Sequence, residues 1–188
     1  MYGIIYDVDD CLLDTNGYIS KKLGIDIKKF SDWGLTEMSP KEREAVFNEY
    51  YIDDNYLQAK AFDGVEQLSK LNWDIKLHTG CANLSCGIAK VKRLSEFGFD
   101  KKDIFLDYHK EKKMKHCLVQ VEDGFENLLR STAIYKILID KPWNRHFKIS
   151  PKDRIYRVES LLEANKKLAE IMYMHNFEGE QEVKQWMI

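Results

Sequence analysis

The sequence has little of several features that mark particular classes of protein. Its four cysteines, Cys11, Cys81, Cys86 and Cys117, fit neither a disulfide scaffold nor a zinc site of the CxxC type. The sequence also lacks an excess of charge of either sign, because it has 29 Lys and Arg residues and 31 Asp and Glu residues. The formal charge of -2 therefore gives no global field for binding nucleic acid or an anionic membrane. We expect free thiols in a reducing compartment.

Long apolar runs are lacking too. The first ten residues, MYGIIYDVDD, become acidic after a few apolar positions, without the basic and long apolar regions of a signal peptide. No later run approaches the length of a membrane-spanning helix. We expect a soluble, cytoplasmic protein. With 188 residues, 44% of them hydrophobic, the chain is long enough for one core and a small accessory module.

Apolar segments that end in polar residues recur along the chain and predict buried strands. These segments are residues 2–8, 74–80, 116–124 and 133–142. Helical patterns lie between or after them, at residues 65–71, 88–97, 125–130 and 158–174. Strands that alternate with helices predict an α/β fold with a mostly parallel sheet. The amphipathic pattern of 158–174 predicts a helix that packs on this sheet.

The segment 16–62 departs from this alternation. It contains aromatic residues and helical patterns but no convincing buried strand. We interpret it as a small helical cap inserted after the first strand, so that residues 1–15 and 63–188 form the catalytic core. The aromatic side chains of the cap either pack its interior or stack on a substrate base, and Phe30 and Trp33 are the pair predicted to bind substrate.

The acidic sequence DVDD follows the first predicted strand directly. Neighbouring carboxylates repel one another, and a divalent cation relieves that repulsion. Because alternate residues of a strand point the same way, Asp7 and Asp9 can face one ligand while Asp10 faces elsewhere. Mg²⁺ prefers carboxylate and carbonyl oxygens, so a magnesium site is one interpretation. A solvated acidic turn is the other.

The later strand ends carry matching polar groups. Thr79 offers a hydroxyl, Lys112 or a neighbouring lysine a cation, and Glu122 with Asp123 a second acidic pair. Ligands of parallel sheets bind at the carboxyl ends of the strands, so we expect these groups to converge. Phosphoryl transfer needs such a set: a nucleophile, a metal and donors for the phosphoryl oxygens.

With these residues the sequence resembles the haloacid-dehalogenase-like (HAD) phosphatase superfamily. Four segments carry the resemblance, in the order of that family's motifs: IIYDVDDCLLDT (4–15), IKLHTG (75–80), a lysine within KEKKMK (110–115), and LVQVEDG (118–124). The resemblance implies a three-layer, Rossmann-like fold with a mostly parallel sheet and a small helical cap after strand 1.

The resemblance also implies roles for these residues. Asp7 would be the nucleophile and Asp9 the acid and base, while Thr79 and Lys112, with backbone amides near Gly80, would bind the charged phosphoryl oxygens. Asp7, the Asp9 carbonyl and Asp123 would hold Mg²⁺. Spacing favours Lys112 as the lysine, with Lys110, Lys113 and Lys115 as its alternatives.

More narrowly, the chain looks like the 5'(3')-deoxyribonucleotidase branch. The features behind this are the small cap, the spacing between the lysine and the acidic pair, and the closing segment ILIDKPWNR (137–145). The branch usually has two aspartates in its fourth motif, whereas this chain has Glu122 before Asp123. That departure favours Asp123 as the direct metal ligand.

The predicted function is thus a Mg²⁺-dependent phosphomonoester hydrolase acting on deoxynucleoside monophosphates, with a small nucleotide as partner and no membrane or strong nucleic-acid partner. The near-neutral charge favours a single nucleotide over a strand. One alternative is a phosphatase on a 3'-phosphorylated polynucleotide end or a sugar phosphate. Another is a receiver-like module that binds Mg²⁺ and phosphate without turnover. The sequence leaves base preference and oligomeric state open.

Overall fold

The structure is a computed structural model that describes residues 3–107 and 117–175. Strands and helices alternate over most of this range. The strands are β1 (Ile4–Tyr6), β2 (Ile75–Gly80), β3 (Ile104–Asp107), β4 (Val119–Glu122), β5 (Tyr135–Ile139) and β6 (Ile155–Val158). The helices are α1 (Thr15–Leu23), α2 (Pro40–Glu49), α3 (Asp53–Gln58), α4 (Val65–Ser69), α5 (Leu84–Glu96), α6 (Phe125–Arg130) and α7 (Leu161–Met174).

All six strands form one parallel sheet in the order β3-β2-β1-β4-β5-β6. The chain runs outward from β1 through β2 to β3 and then returns to β4, on the other side of β1. The strand order therefore changes direction between β1 and β4, and such a switch point leaves a crevice at the carboxyl ends of the two strands. The predicted three-layer, Rossmann-like α/β fold is confirmed.

The four predicted strands correspond to β1, β2, β4 and β5. The edge strands β3 and β6 were not predicted. Each is four residues long and only partly buried. An edge strand has one neighbour only, so it is more exposed than a central strand such as β4, in which every residue is buried.

The helix predicted for 158–174 is confirmed as α7, although Val158 itself ends β6. Its buried face, which includes Leu161 and Leu168, joins the main core under the central strands. A buried hydrogen bond fixes its position, because the Tyr6 hydroxyl of β1 donates to Asn165 Oδ1 at 2.7 Å.

The segment 16–62 contains most of α1 and all of α2 and α3. Helix α2 begins with a capping box, in which Ser39 and Glu42 satisfy each other's backbone N–H groups. Most of one apolar cluster comes from this segment, and Trp143, which follows β5, also belongs to it. The other buried members of this cluster are Ile19, Phe30, Leu35, Met38 and Val46. The division into a cap and a core stays a prediction.

The four cysteines are free and buried. Among residues 3–107 and 117–175, no helix is long and apolar enough to cross a membrane.

Candidate active site

The loop after β1 meets the end of β4 in a small buried cluster. Ligand atoms of Asp7, Cys11 and Asp123 lie within 4.8 Å of one another, and all three residues are buried. The backbone N–H of Asp7 donates to Val121 O at 2.9 Å, which joins the two strand ends. The structure thus brings Asp7 and Asp123 together, as the sequence predicts for a metal site. Cys11, which we did not predict there, is the third member.

Asp9, in the same loop after β1, contacts the end of the neighbouring strand β2. Its Oδ1 accepts a hydrogen bond from Thr15 Oγ1 at 3.0 Å, and its Oδ2 accepts one from Thr79 Oγ1 at 3.0 Å. Thr79 is fully buried, with 0% exposure. Asp9 and Thr79 are therefore in direct contact, and the two carboxylates of DVD have different surroundings: Asp7 lies beside another acid, while Asp9 lies among hydroxyl groups.

Lys90 of α5, which we did not predict as a site residue, also contacts Asp9. Its Nζ forms an ion pair with Asp9 Oδ2 and donates to Gly80 O at 2.6 Å and to Thr79 Oγ1 at 3.1 Å. Its side chain is only 2% exposed. One signal was available, because Lys90 lies four residues after Cys86 and four before Leu94, on the buried face of the helix.

The predicted lysine, Lys112, lies outside the described residues. The same holds for its alternatives Lys110, Lys113 and Lys115.

The segment after β5 holds Asp123, one of the three members of this buried cluster. Trp143 Nε1 donates to Asp123 Oδ2 at 2.7 Å, and Asn144 Nδ2 donates to Asp123 O at 2.9 Å. Asn144 also donates to Ile139 O at 2.8 Å. These three buried hydrogen bonds fix both the side chain and the backbone of Asp123 against the end of β5.

Glu122 is held differently from its neighbour. Its carboxylate accepts hydrogen bonds from Gln120 Nε2 and from Asn127 Nδ2, both at 3.1 Å. It does not belong to the group of possible metal ligands that the described residues form. This placement favours Asp123 over Glu122 as the direct ligand.

Asp10 shapes the loop that carries these groups. Its backbone is left-handed, with φ of 58°, and its Oδ1 accepts the N–H of Asn16 at 2.9 Å. Burial raises the pKa of the Asp10 carboxyl well above its ordinary value, with a smaller raising effect from Asp9 and opposing effects from the Asn16 N–H and Lys141. Asp10 thus has a structural contact of its own, apart from the Asp7 cluster.

Electrostatics also act on the thiol of Cys11, in the buried cluster with Asp7 and Asp123. Burial is the main cause that raises the pKa of Cys11 well above the usual thiol value, and the negative charges of Asp123 and Asp7 add to it. A neutral thiol at this position adds no further negative charge to the two carboxylates.

The two aromatic residues predicted to bind substrate have different surroundings. Trp33 is 52% exposed, and its ring centroid lies 6.3 Å from that of Trp143, the residue that holds Asp123. Phe30 is 1% exposed and belongs to the apolar cluster of the segment 16–62.

The backbone at the end of β2, where we expected amides to bind phosphoryl oxygens, has contacts of its own. The carbonyl of Gly80 accepts a hydrogen bond from Lys90, and the N–H of Cys81 donates to Asp107 O.

Comparison with solved structures identifies similar folds among HAD-family hydrolases. A HAD hydrolase of family IA, variant 3, from Entamoeba histolytica is 15% identical, with a TM-score of 0.55, and the match covers 100% of both chains. A hydrolase from Pseudomonas syringae is 16% identical, with a TM-score of 0.53, over 91% of this chain and 99% of that one. A haloacid dehalogenase-like hydrolase from Burkholderia xenovorans is 12% identical, with a TM-score of 0.51, over 92% and 99%.

No protein-family model matches the sequence, and no curated protein matches it. At these identities the similarity establishes the fold. The chain has the three-layer α/β fold of HAD hydrolases.

Proposed function

We propose that this protein is a Mg²⁺-dependent phosphomonoester hydrolase. One observation carries the proposal: the fold brings two carboxylates of one strand end into different environments, Asp7 beside Asp123 and Asp9 beside Thr79. Two carboxylates with different surroundings suit two different tasks, nucleophilic attack and proton transfer.

The residues present fit a magnesium ion. Asp7 and Asp123 are buried next to each other, and two buried carboxylates at this separation favour a divalent cation between them. Carboxylate and carbonyl oxygens are the ligands that Mg²⁺ prefers, and Asp7, Asp123 and the Asp9 carbonyl would hold it. When bound, the ion would neutralise negative charge on a phosphoryl group.

Asp7 is the proposed nucleophile. A carboxylate oxygen of Asp7 attacks phosphorus in line, and a new P–O bond forms while the ester P–O bond breaks. The electron pair of the broken bond goes to the leaving oxygen, which takes a proton from Asp9. The product on the enzyme is an aspartyl-phosphate at Asp7.

Asp9 then acts in the reverse direction. Its carboxylate accepts a proton from a water molecule, and the oxygen of that water attacks phosphorus and releases Asp7 with inorganic phosphate. The hydroxyl of Thr79 keeps Asp9 at the strand end in both steps. Lys112 remains the proposed partner of the phosphoryl oxygens.

For the substrate we propose a nucleoside monophosphate, cleaved by a 5'(3')-deoxyribonucleotidase activity. The exposed Trp33, beside the Trp143–Asp123 pair, supports this proposal because an indole ring stacks well on a base. A sugar phosphate is the second candidate. The burial of Phe30 supports it, because a buried ring cannot stack on a base. Of the predicted aromatic pair, only Trp33 is then exposed to a substrate.

The test is a Mg²⁺-dependent screen of phosphate release from nucleoside monophosphates, sugar phosphates and 3'-phosphorylated oligonucleotides. We expect Asp7→Asn to reduce the rate by roughly a thousandfold or more, because it removes the nucleophile. Asp63→Asn, which changes an exposed aspartate, is the matched control and should retain the rate.

The outcomes of this screen test the mechanism, the substrate class and the hydrolase activity separately. Equal rates for Asp7→Asn and the unmodified protein contradict the mechanism. Release from sugar phosphates alone retains the hydrolase and replaces the nucleotidase proposal with the second candidate. No release from any of the three classes overturns the proposed hydrolase.

A further inference from the structure

We propose that Lys90 is a positioning residue, which acts on the reaction through Asp9 and not through the substrate. This inference rests on the proposed hydrolase activity and assigns a role to a residue that none of the four sequence motifs contains. Lys90 comes from α5, 11 residues after Thr79 along the chain, and reaches the carboxyl end of β2.

The ammonium group of Lys90 has no donor left for a substrate. Such a group has three N–H donors and no acceptor. In the structure these donors go to Asp9 Oδ2, to Gly80 O and to Thr79 Oγ1. The ring of Tyr56 lies 4.4 Å from Nζ, and this cation–π contact covers the ammonium from the side of α3. Binding a phosphoryl oxygen would require Lys90 to give up one of these contacts.

Asp9, in turn, accepts hydrogen bonds on both of its oxygens. Thr15 donates to Oδ1, while Thr79 and Lys90 donate to Oδ2. Donors on both oxygens fix the rotation of the carboxylate about its Cβ–Cγ bond. A general acid or base must lie within hydrogen-bond reach of the atom whose proton it transfers, so this orientation determines how well Asp9 works.

Burial argues against a purely structural role for the charge. Lys90 is 2% exposed on a helix face that otherwise buries Cys86, Ala89 and Leu94. An apolar side chain of similar length would fill such a site without the desolvation that a buried ion pair costs. We therefore attribute the buried charge of Lys90 to its ion pair with Asp9, which orients the carboxylate.

The experiment is a double-mutant cycle between Lys90→Met and Asp9→Asn, read as kcat/KM. Methionine has nearly the length of lysine and lacks its charge. We expect Lys90→Met to lower kcat/KM by roughly tenfold to a hundredfold in the unmodified protein, within the range of acid–base effects. In the Asp9→Asn background it should lower kcat/KM by less than about twofold, because a residue that acts through Asp9 has nothing left to position.

A second measurement separates positioning from substrate binding. For an ester whose leaving group needs no proton, such as p-nitrophenyl phosphate, Lys90→Met should lower kcat/KM much less than for an alkyl phosphate. Inhibition by inorganic phosphate should keep its Ki within about twofold. Lys92→Met, an exposed lysine of the same helix, is the matched control and should change neither quantity.

Several results would overturn the inference. One is an equal loss of kcat/KM from Lys90→Met in the unmodified protein and in the Asp9→Asn variant. Another is an equal loss of kcat/KM for both leaving groups together with a raised Ki for phosphate, which would mean that Lys90 binds the substrate. If Lys90→Met does not fold, judged by its circular dichroism, Lys90→Arg replaces it and should retain the leaving-group dependence of the unmodified protein. Failure of the proposed function itself is distinct, because the unmodified protein would then release no phosphate.

Discussion

At the scale of single residues, the site depends on how each acid is partnered. Asp7 and Asp123 share a buried cluster, Asp9 accepts hydrogen bonds from hydroxyl and ammonium groups, and Asp10 caps the backbone of Asn16. Four carboxylates close in space can differ in chemistry because burial and partners act on each one separately.

Asp10→Asn should stabilise the protein at neutral pH in the absence of Mg²⁺. The folded-state pKa of Asp10 is raised, so its charge opposes folding above the unfolded pKa, and stability falls as pH rises from there to the folded pKa. Asparagine retains the acceptor for the Asn16 N–H and tolerates the left-handed backbone. We expect a gain of about 1 kcal/mol or more at pH 7, measured by urea unfolding, that shrinks as the pH falls and has disappeared by about pH 4. A loss of stability at pH 7 would contradict this.

Trp143→Phe should weaken Mg²⁺ binding at the proposed site while retaining most of the packing. The change removes the 2.7 Å hydrogen bond from Trp143 Nε1 to Asp123 Oδ2. Partners of ligating carboxylates typically affect metal affinity by a factor of about 10 to 100, so we expect the Kd for Mg²⁺ to rise by at least about tenfold in a calorimetric titration. Trp73→Phe, at a partly buried ring of the main core, is the control and should leave the Kd unchanged.

At the scale of elements, α5 has two tasks. Its buried face packs on the core, and the same face delivers Lys90 to the end of β2. The start of the helix is fixed by Asn83, whose side chain accepts the N–H of Cys86 at 2.8 Å and donates to Tyr51 O at 3.2 Å. The N-cap thus connects α5 to the segment 16–62.

Asn83→Ala should therefore destabilise the protein by about 1 kcal/mol, the typical effect of losing an N-cap side chain. Urea unfolding measures the change. Asn48→Ala, at an exposed position within α2, is the matched control and should stay within about 0.5 kcal/mol of the unmodified protein. Equal stability of the two variants would argue against the capping role.

At the scale of the whole molecule, the strand order places the ends of β1, β2 and β4 side by side. The loop after β1 is the centre of the site because its neighbours contribute Thr79 on one side and Asp123 on the other. Buried carboxylates that face each other reduce the stability of the metal-free protein, so binding of a cation and folding are coupled.

Mg²⁺ should accordingly raise the melting temperature. At a free concentration 100 times the Kd, binding adds about 2.7 kcal/mol of stability. For a chain of this length that corresponds to an increase of roughly 5–10 °C in calorimetry. KCl at the same ionic strength should not reproduce the increase, and Asp123→Asn should abolish it. An equal increase in Asp123→Asn would place the ion elsewhere.

Much of the architecture could be predicted from the sequence. The central strands β1, β2, β4 and β5 lie in segments rich in apolar residues that end in polar ones, and such segments are visible without a structure. The edge strands β3 and β6 were missed because partial exposure weakens that signal. The presence of Asp7, Asp9, Thr79 and Asp123 at strand ends was also predictable, since a parallel sheet places all carboxyl ends at one edge.

The sequence by itself determined which strands are central and which acids and hydroxyls lie at their ends, because burial and strand periodicity are local properties of the chain. Only the tertiary structure decided the partners of those groups. Lys90 reaches Asp9, Cys11 joins Asp7 and Asp123, and Trp143 donates to Asp123 because folding brings distant segments together. Contacts between residues that are far apart in sequence leave no periodic signal in the chain, so the ion pair at Asp9 could be found only in the folded molecule.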